Sequence, residues 1–280
     1  MSPTLPLHVI ELGPDPNTEA STAPETFLLL HGYAGSSFTW RHWAPTLARR
    51  GRVLLVDMKG FGEAPKPDDG RYGPEHLADL VVQLVRDLDL QRLTLIGHSL
   101  GGGVALIATL ALRDSGERRL HRLVLVASAA YPQRLPPFVA FARRPLLSTL
   151  VIRLLGPHVV IRAALRAIVY DRSSVTEQQV TAYARPLESR EGIRALLDAG
   201  RQIVPDALDE LSRRFSEIDL PTLVMWGRHD RVVPLTVGVR LADDLPNARL
   251  EILEECGHMP PEELPEASLA ILQSFLDAVG

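Results

Sequence analysis

The chain has 280 residues, of which 46% are hydrophobic and 23% charged, and its formal net charge is −4. This is ordinary globular composition, and the charge gives no support to a nucleic-acid partner. A single cysteine, Cys256, excludes an intrachain disulfide. The first sixteen residues lack a basic region and a long apolar run, and the most apolar stretch, residues 101–112, is too short to cross a bilayer. We therefore expect no signal peptide, no transmembrane segment and a location in the cytoplasm, and we leave the oligomeric state open.

Short apolar runs rich in β-branched residues alternate with segments of helical periodicity. The runs are residues 27–30, 53–56, 93–96, 123–126, 223–226 and 250–253. The helical segments are residues 74–88, 100–113 and 262–279. Because most runs are nearly continuous, they are typical of strands covered on both faces. The alternation predicts an α/β fold with a doubly wound, mostly parallel sheet.

The alternation breaks between about residues 132 and 217, where helical stretches follow one another without a strand. These stretches are residues 138–141, 145–155, 159–169, 176–184, 191–202 and 205–215. We predict a helical insertion at 132–217 in a core built from residues 1–131 and 218–280. The insertion has thirteen arginines against nine acidic residues, a net charge of +4. It is either a solvated arginine-rich surface or a site that prefers anionic substrates or an anionic surface.

The run Gly97-His98-Ser99-Leu100-Gly101 lies between a predicted strand and a predicted helix. Such a junction is so tight that it strains the serine backbone and leaves room only for small neighbours, which the glycines provide. The turn projects the serine hydroxyl above the carboxyl edge of the sheet, and the helix N-terminus favours developing negative charge there. The G-x-S-x-G pattern in this setting predicts that Ser99 is a nucleophile.

A serine hydroxyl needs a base to remove its proton, and His258 is the best-placed histidine. It follows the predicted strand 250–253 and therefore lies on a loop at the carboxyl edge of the sheet, as Ser99 does. Most other histidines belong to other motifs, lie near helices or at the opposite edge, or fall in the N-terminal segment.

The base in turn needs a carboxylate to fix its tautomer and stabilise the imidazolium. Asp230 lies just past the predicted strand 223–226, whereas no acidic residue follows the strand 123–126. Asp57 begins a turn, and we expect it to organise that turn. The predicted catalytic residues are therefore Ser99, Asp230 and His258, in the chain order expected for such a site.

Acyl transfer also needs N–H donors for the oxyanion of its tetrahedral intermediates. The first predicted donor is the backbone N–H of Leu100, directly after the nucleophile. The second should come from the loop after strand 27–30, where Tyr33 is the first choice and Ala34 the second. The alternative is that His31-Gly32 is only a tight turn.

Together these motifs resemble the α/β-hydrolase family, in its single-chain form with a helical cap. The matching segments are His31-Gly32-Tyr33, Asp57-Met58-Lys59-Gly60-Phe61-Gly62, Gly97-His98-Ser99-Leu100-Gly101-Gly102, Gly227-Arg228-His229-Asp230 and Gly257-His258. The resemblance implies a core of eight mostly parallel strands, with residues 132–217 as a cap over the active site. Apolar cap residues would then line an acyl pocket or merely pack the cap. The residues concerned are Leu146, Leu147, Val151, Leu154, Leu155, Val159, Ile161 and Leu165.

Departures from related enzymes narrow the expected chemistry. Haloalkane dehalogenases and epoxide hydrolases of similar shape carry Asp where this chain has Ser99, which disfavours an alkyl-enzyme. Carbon–carbon bond hydrolases often have a glycine-rich loop after His-Gly and an aromatic residue after the histidine. This chain has Tyr33-Ala34 and Met259 at those places, which lowers the expectation of that activity.

We therefore predict a serine hydrolase, with an esterase acting on small-molecule, apolar acyl compounds as the first interpretation. A carbon–carbon bond hydrolase, a lactonase or a perhydrolase with the same triad is the alternative. An alternative of another class is a ligand-binding receptor with a slow or vestigial site. The sequence has no dinucleotide-binding motif, no P-loop and no zinc-binding motif, so we expect neither a cofactor nor a metal.

Overall fold

The computed structural model describes residues 5–13 and 25–279, so much of the N-terminal segment discussed above lies outside the described residues. In the described part, seven strands form one sheet in the order β1-β3-β2-β4-β5-β6-β7. The strands are β1 (His8–Leu12), β2 (Glu25–Leu30), β3 (Gly51–Asp57), β4 (Leu93–His98), β5 (Leu120–Val126), β6 (Thr222–Gly227) and β7 (Ala248–Leu253). Neighbouring strands are parallel except β1 and β3, which are antiparallel. The predicted α/β class with a mostly parallel sheet is confirmed.

The strand count differs from the expectation at one edge of the sheet. All six predicted strands are present, each slightly longer than its apolar run. The seventh, β1, was not predicted because it is short and none of its five residues is buried. The resemblance implied eight strands. In the described residues the antiparallel edge beside β3 is the single strand β1, which gives seven.

Helices cover both faces of the sheet. The helices of the core are α1 (Ala44–Ala48), α2 (Pro74–Asp87), α3 (Leu100–Asp114), α10 (Leu235–Asp244), α11 (Pro260–Glu263) and α12 (Pro265–Ala278). Helices α2, α3 and α10 pack on one face with Leu28 and Leu30 of β2. Helices α1 and α12 pack on the other face with Phe27 and Leu29. This alternation explains why β2 is apolar at successive positions.

The C-terminal helix differs from the prediction of one helix over residues 262–279. The chain instead forms α11 and α12, which are separated by Leu264 with φ −133° and ψ 64°. Pro265 causes the break, because proline disfavours the α conformation at the residue before it. The break ends α11 near the loop that carries His258.

Six helices lie between β5 and β6, where the insertion was predicted. They are α4 (Pro137–Ala142), α5 (Pro145–Leu155), α6 (Pro157–Ile168), α7 (Glu177–Ala184), α8 (Arg190–Arg201) and α9 (Leu208–Arg213). Helices α4–α8 share a small apolar core that includes Ile161, Leu165, Val180 and Leu197. We call α4–α9 the inserted helices. Met259, directly after His258, packs against this core, which brings the inserted helices next to the predicted site.

Candidate active site

Ser99 occupies the turn between β4 and α3 in a strained conformation, with φ 53° and ψ −117°. The turn is closed by glycines that leave no space for a side chain. A Cβ added to Gly97 would lie 2.4 Å from the carbonyl oxygen of Gly101, and one added to Gly101 would lie 2.4 Å from that of Leu30. Positive φ at a non-glycine residue is uncommon and persists only where the surroundings enforce it. The packing at this junction therefore holds the hydroxyl in one position.

The structure brings the three predicted catalytic residues together at the carboxyl edge of the sheet. The hydroxyl of Ser99 lies 2.9 Å from Nε2 of His258, and Nδ1 of His258 lies 2.8 Å from Oδ2 of Asp230. A carboxylate only accepts, so Nδ1–H donates to Asp230 and leaves Nε2 free to accept the serine proton. All three residues are buried. The arrangement can therefore move a proton from Ser99 to His258.

Asp230 is fixed by the turn after β6. Its Oδ1 accepts the backbone N–H groups of Val232 at 2.8 Å and Val233 at 3.0 Å, while Oδ2 faces His258. Both carboxylate oxygens thus accept hydrogen bonds, and the side chain cannot rotate without losing them. Asp57, the other candidate, accepts the backbone N–H groups of Ser37 and Glu63, as expected of a residue that organises a turn.

The loop of His258 is held on every side by hydrogen bonds. The N–H groups of Gly257 and Met259 both donate to the carboxylate of Glu263, at 2.9 and 2.8 Å. His258 itself donates its backbone N–H to the carbonyl of Ile168, at the end of α6. The same carboxylate of Glu263 accepts the N–H of Tyr170 at 2.7 Å. Glu263 therefore joins the inserted helices to the loop of the candidate base.

The predicted oxyanion donors lie around the same space as Ser99. Leu100 is the first residue of α3, so its N–H has no partner within the helix. Tyr33 and Ala34 follow β2 and line the same cavity as Ser99 and Leu100. Ala34 has a positive φ of 59°, which marks a sharp turn, and the phenol of Tyr33 donates to the carbonyl of Leu196 on α8. The roles of Tyr33, Leu100 and Ala34 stay predictions.

Above Ser99 lies an apolar cavity of about 260 Å³. Its walls come from the core, with Ile107 and Val232, and from the inserted helices, with Val139, Ile161 and Leu165. Among the described residues, no Asp, Glu, Lys or Arg lines it. The cavity thus matches an apolar ligand without a formal charge.

The apolar residues of the insertion divide in a way that the sequence did not predict. Ile161 and Leu165 line the cavity. Leu146, Leu147, Leu154, Leu155 and Val159 are all exposed. None of these five residues lines the cavity, so the acyl-pocket interpretation was wrong for them. They lie on α5 and the first turn of α6, whose outer side turns away from the cavity.

A buried polar network lies beside the cavity and was also not predicted. Glu262 accepts hydrogen bonds from Tyr183, Gln179 and Arg41. Burial, and then the charge of Glu262, raises the pKa of Tyr183 well above its ordinary value, so the phenol keeps its proton. Since that one proton goes to Glu262, the contact of 3.0 Å between Thr39 and Tyr183 requires Thr39 to donate. Thr39 and Tyr183 line the cavity, and both have their own protons directed away from a ligand.

Glu262, Glu263 and His98 were missed as supporting residues by the sequence reasoning. The only signal in the sequence is an acidic pair four and five positions after His258, at the start of the predicted helix 262–279. The sequence places His98 in the turn motif around Ser99 and indicates no further role for it. Its Nε2–H donates to the backbone carbonyl of His258 at 2.8 Å, and its Nδ1 has no partner among the described residues.

His98 should make the stability of the protein depend on pH. Burial, followed by the nearby His258, lowers the pKa of His98 from 6.5 to about 3. Between these values the unfolded chain binds a proton that the folded protein excludes. The free energy of unfolding should therefore fall as the pH drops below 6.5, by up to about 1.4 kcal/mol per pH unit for this residue.

The variant His98→Gln tests this contribution, because its amide can still donate to the carbonyl of His258 but does not titrate. We expect its free energy of unfolding, measured in urea between about pH 4 and pH 6, to fall less steeply than that of the wild type. Burial also lowers the pKa of His31, which remains in both proteins and acts in the same direction. Parallel pH profiles for variant and wild type would contradict the assignment.

Comparison with known proteins agrees with the observed fold. The family model described as alpha/beta hydrolase fold matches residues 25–265. The chain is 30% identical to the hydrolase YugF of Bacillus subtilis (strain 168) over 253 residues, which cover 90% of each chain. It is 28% identical to 2-hydroxymuconate semialdehyde hydrolase of Pseudomonas sp. (strain CF600), across 98% of this chain and 95% of that enzyme.

A solved structure from Burkholderia ambifaria, described as an alpha/beta hydrolase fold protein, superposes with a TM-score of 0.82 at 25% identity. The match covers 96% of this chain and 93% of that one. The sequence has Tyr33-Ala34 and Met259 at places where carbon–carbon bond hydrolases often have other residues. Since 2-hydroxymuconate semialdehyde hydrolase is among the relatives, this difference is weaker evidence against that activity than the sequence alone indicated.

Proposed function

The chain belongs to the α/β-hydrolase fold family and is a hydrolase, and we propose that it hydrolyses uncharged carboxylic esters through an acyl-enzyme on Ser99. One observation carries the proposal: Ser99 and His258 of the hydrogen-bonded triad Ser99–His258–Asp230 line an apolar cavity, and no Asp, Glu, Lys or Arg is among its described lining residues. The triad would activate the nucleophile, and the cavity supplies space for an acyl group.

In the proposed reaction Ser99 attacks the ester carbonyl while His258 takes its proton. His258 then gives that proton to the leaving alcohol, and Asp230 stabilises the imidazolium between the two steps. The N–H groups of Leu100 and Tyr33 would hold the oxyanion, each contributing about 3–4 kcal/mol in the transition state. A water activated by His258 then releases the acyl group.

The inserted helices would act as a cap in this reaction, with residues 1–131 and 218–280 as the core. Val139, Ile161 and Leu165 of α4 and α6 complete the cavity wall opposite the core. The carbonyl of Ile168 accepts the backbone N–H of His258, and the N–H of Tyr170 donates to the carboxylate of Glu263. A cap seated in this way both excludes water from the acyl group and supports the base.

The charge of the substrate separates the two leading functions. Carbon–carbon bond hydrolysis is favoured by the relative named 2-hydroxymuconate semialdehyde hydrolase, whose substrate carries a carboxylate. In this cavity such a group would be buried without a cationic side chain, which is strongly unfavourable. Thr39 and Tyr183 direct their protons elsewhere and present acceptor oxygens, which repel an anion. These features support the uncharged ester.

A matched pair of substrates tests the proposed preference. p-Nitrophenyl hexanoate and mono-p-nitrophenyl adipate share a leaving group and an acyl chain length, but only the adipate ends in a carboxylate. We expect kcat/KM to be at least about 100-fold higher for the hexanoate, because the carboxylate would lose its solvation in the cavity. A dienoate of the ring-fission type serves as the third substrate. If it is hydrolysed more efficiently than the hexanoate, the carbon–carbon bond hydrolase is the better interpretation.

A further inference from the structure

Helix α5 exposes a stripe of leucines on its outer side. Leu146, Leu150 and Leu154 are 88%, 54% and 74% exposed, and their spacing of four residues places them on one face. The opposite face, with Ser148 and Ile152, is buried. Leu147, Leu155 and Val159 enlarge the apolar surface. A surface helix usually carries polar residues on its outer face, so an apolar stripe of this length marks a contact site.

The charge around this stripe has one sign. Residues 132–170 contain six arginines and no aspartate or glutamate. Arg162 is paired with Glu177. Within the described part of the chain, Arg143, Arg144 and Arg153 are exposed and form no ion pair. The leucine stripe is therefore bordered by uncompensated positive charge at both ends of α5.

We propose that α5 with these arginines docks on an anionic lipid surface. Apolar side chains on one face of a helix and arginines at its border are the features of helices that lie in the plane of a bilayer interface. A second copy of this chain is a poorer partner, because two such faces would bring the same arginines together. Repulsion between like charges at that contact would oppose the gain from burying the leucines.

The geometry indicates a helix that lies on the surface and does not cross it. Among the described helices, none is long and apolar enough alone to span a bilayer. Helices α5 and α6 together have the length and composition, but the chain bends by 108° between them. With eleven residues, α5 is only about 16 Å long, roughly half the thickness of the hydrocarbon core.

Docking would place the lipid next to the cavity. Val139, Ile161 and Leu165, on α4 and α6 on either side of α5, line the cavity, while the leucines of α5 face outward. An apolar ester dissolved in the lipid would then be close to the cavity. This last step rests on the proposed function, whereas docking itself does not, and the two can fail separately.

Vesicle co-sedimentation of the full chain tests the docking. We expect binding to vesicles of phosphatidylcholine with phosphatidylglycerol and little binding to phosphatidylcholine alone. The variant Leu146→Gln/Leu150→Gln/Leu154→Gln should bind about 100-fold more weakly, and Arg143→Glu/Arg144→Glu about tenfold or more. The controls lie on exposed sites outside the insertion. Leu88→Gln makes one leucine change of the same kind, and Arg92→Glu/Arg118→Glu makes the same double change of charge. The controls should bind as the wild type does.

Two further measurements keep the outcome unambiguous. All variants should retain wild-type hydrolysis of a water-soluble ester, which shows that they are folded and separates docking from catalysis. Sedimentation velocity without lipid reports self-association. The proposal is overturned if the wild type does not bind anionic vesicles. It is also overturned if the wild type is a dimer, and the leucine variant is a monomer that binds vesicles as the wild type does.

Discussion

Replacing Ser99 with alanine should lower kcat for p-nitrophenyl hexanoate by about 10⁶-fold, the size of effect seen when a triad nucleophile is removed. The hydroxyl lies 2.9 Å from Nε2 of His258, and no other nucleophile of the chain is in contact with that nitrogen among the described residues. The fold should be retained, because alanine removes only the hydroxyl. A fluorophosphonate probe should label Ser99 in the wild type and leave the variant unlabelled.

Cys256→Ala is the matched control for this experiment, because Cys256 offers the other nucleophilic atom near His258. Its thiol is buried, and burial raises its pKa, so it stays protonated and unreactive. Its removal should change kcat by less than about threefold. Turnover that survives in Ser99→Ala and disappears in Cys256→Ala would contradict the proposed nucleophile. A wild type with neither turnover nor labelling would favour the receptor with a vestigial site.

The parts of the fold that the sequence predicts well are those governed by local chemistry. Strands β2 to β6 are nearly continuous apolar runs because helices cover both faces of the sheet. The tight turn at Ser99 can be recognised from its own residues, since only glycine fits at positions 97 and 101. Asp230 and His258 each follow a parallel strand, and parallel strands end at one edge. That geometry brings them to Ser99.

The parts that the sequence does not predict depend on contacts between distant segments. Glu263 accepts N–H groups from its own neighbourhood in the loop of His258, but its contact with Tyr170, just after α6, joins segments 93 positions apart along the chain. Strand β1 has five residues, none of them buried, and depends on pairing with β3. The leucines of α5 show the same limit. Their helical period predicts an apolar face, but a period cannot say whether that face meets the cavity, the protein core or the outside.

Replacing Asp230 with asparagine should lower kcat by about 10⁴-fold through the tautomer of His258. Oδ1 of Asp230 accepts the N–H groups of Val232 and Val233, so the carbonyl oxygen of asparagine must take that position. The amide NH₂ then points at Nδ1 of His258, which can only accept. The imidazole carries its proton on Nε2 in that case, and it cannot remove the proton of Ser99.

The control for this effect is Asp243→Asn, the same substitution at an exposed position on α10. Both variants should unfold at nearly the wild-type temperature, because asparagine at position 230 keeps the two backbone hydrogen bonds of the turn. The loss should therefore lie in kcat, with KM little changed, since Asp230 does not line the cavity. A loss of less than about tenfold in Asp230→Asn would mean that another group orients His258. With only the amide NH₂ facing Nδ1, the imidazole would be in the tautomer that cannot accept the proton of Ser99.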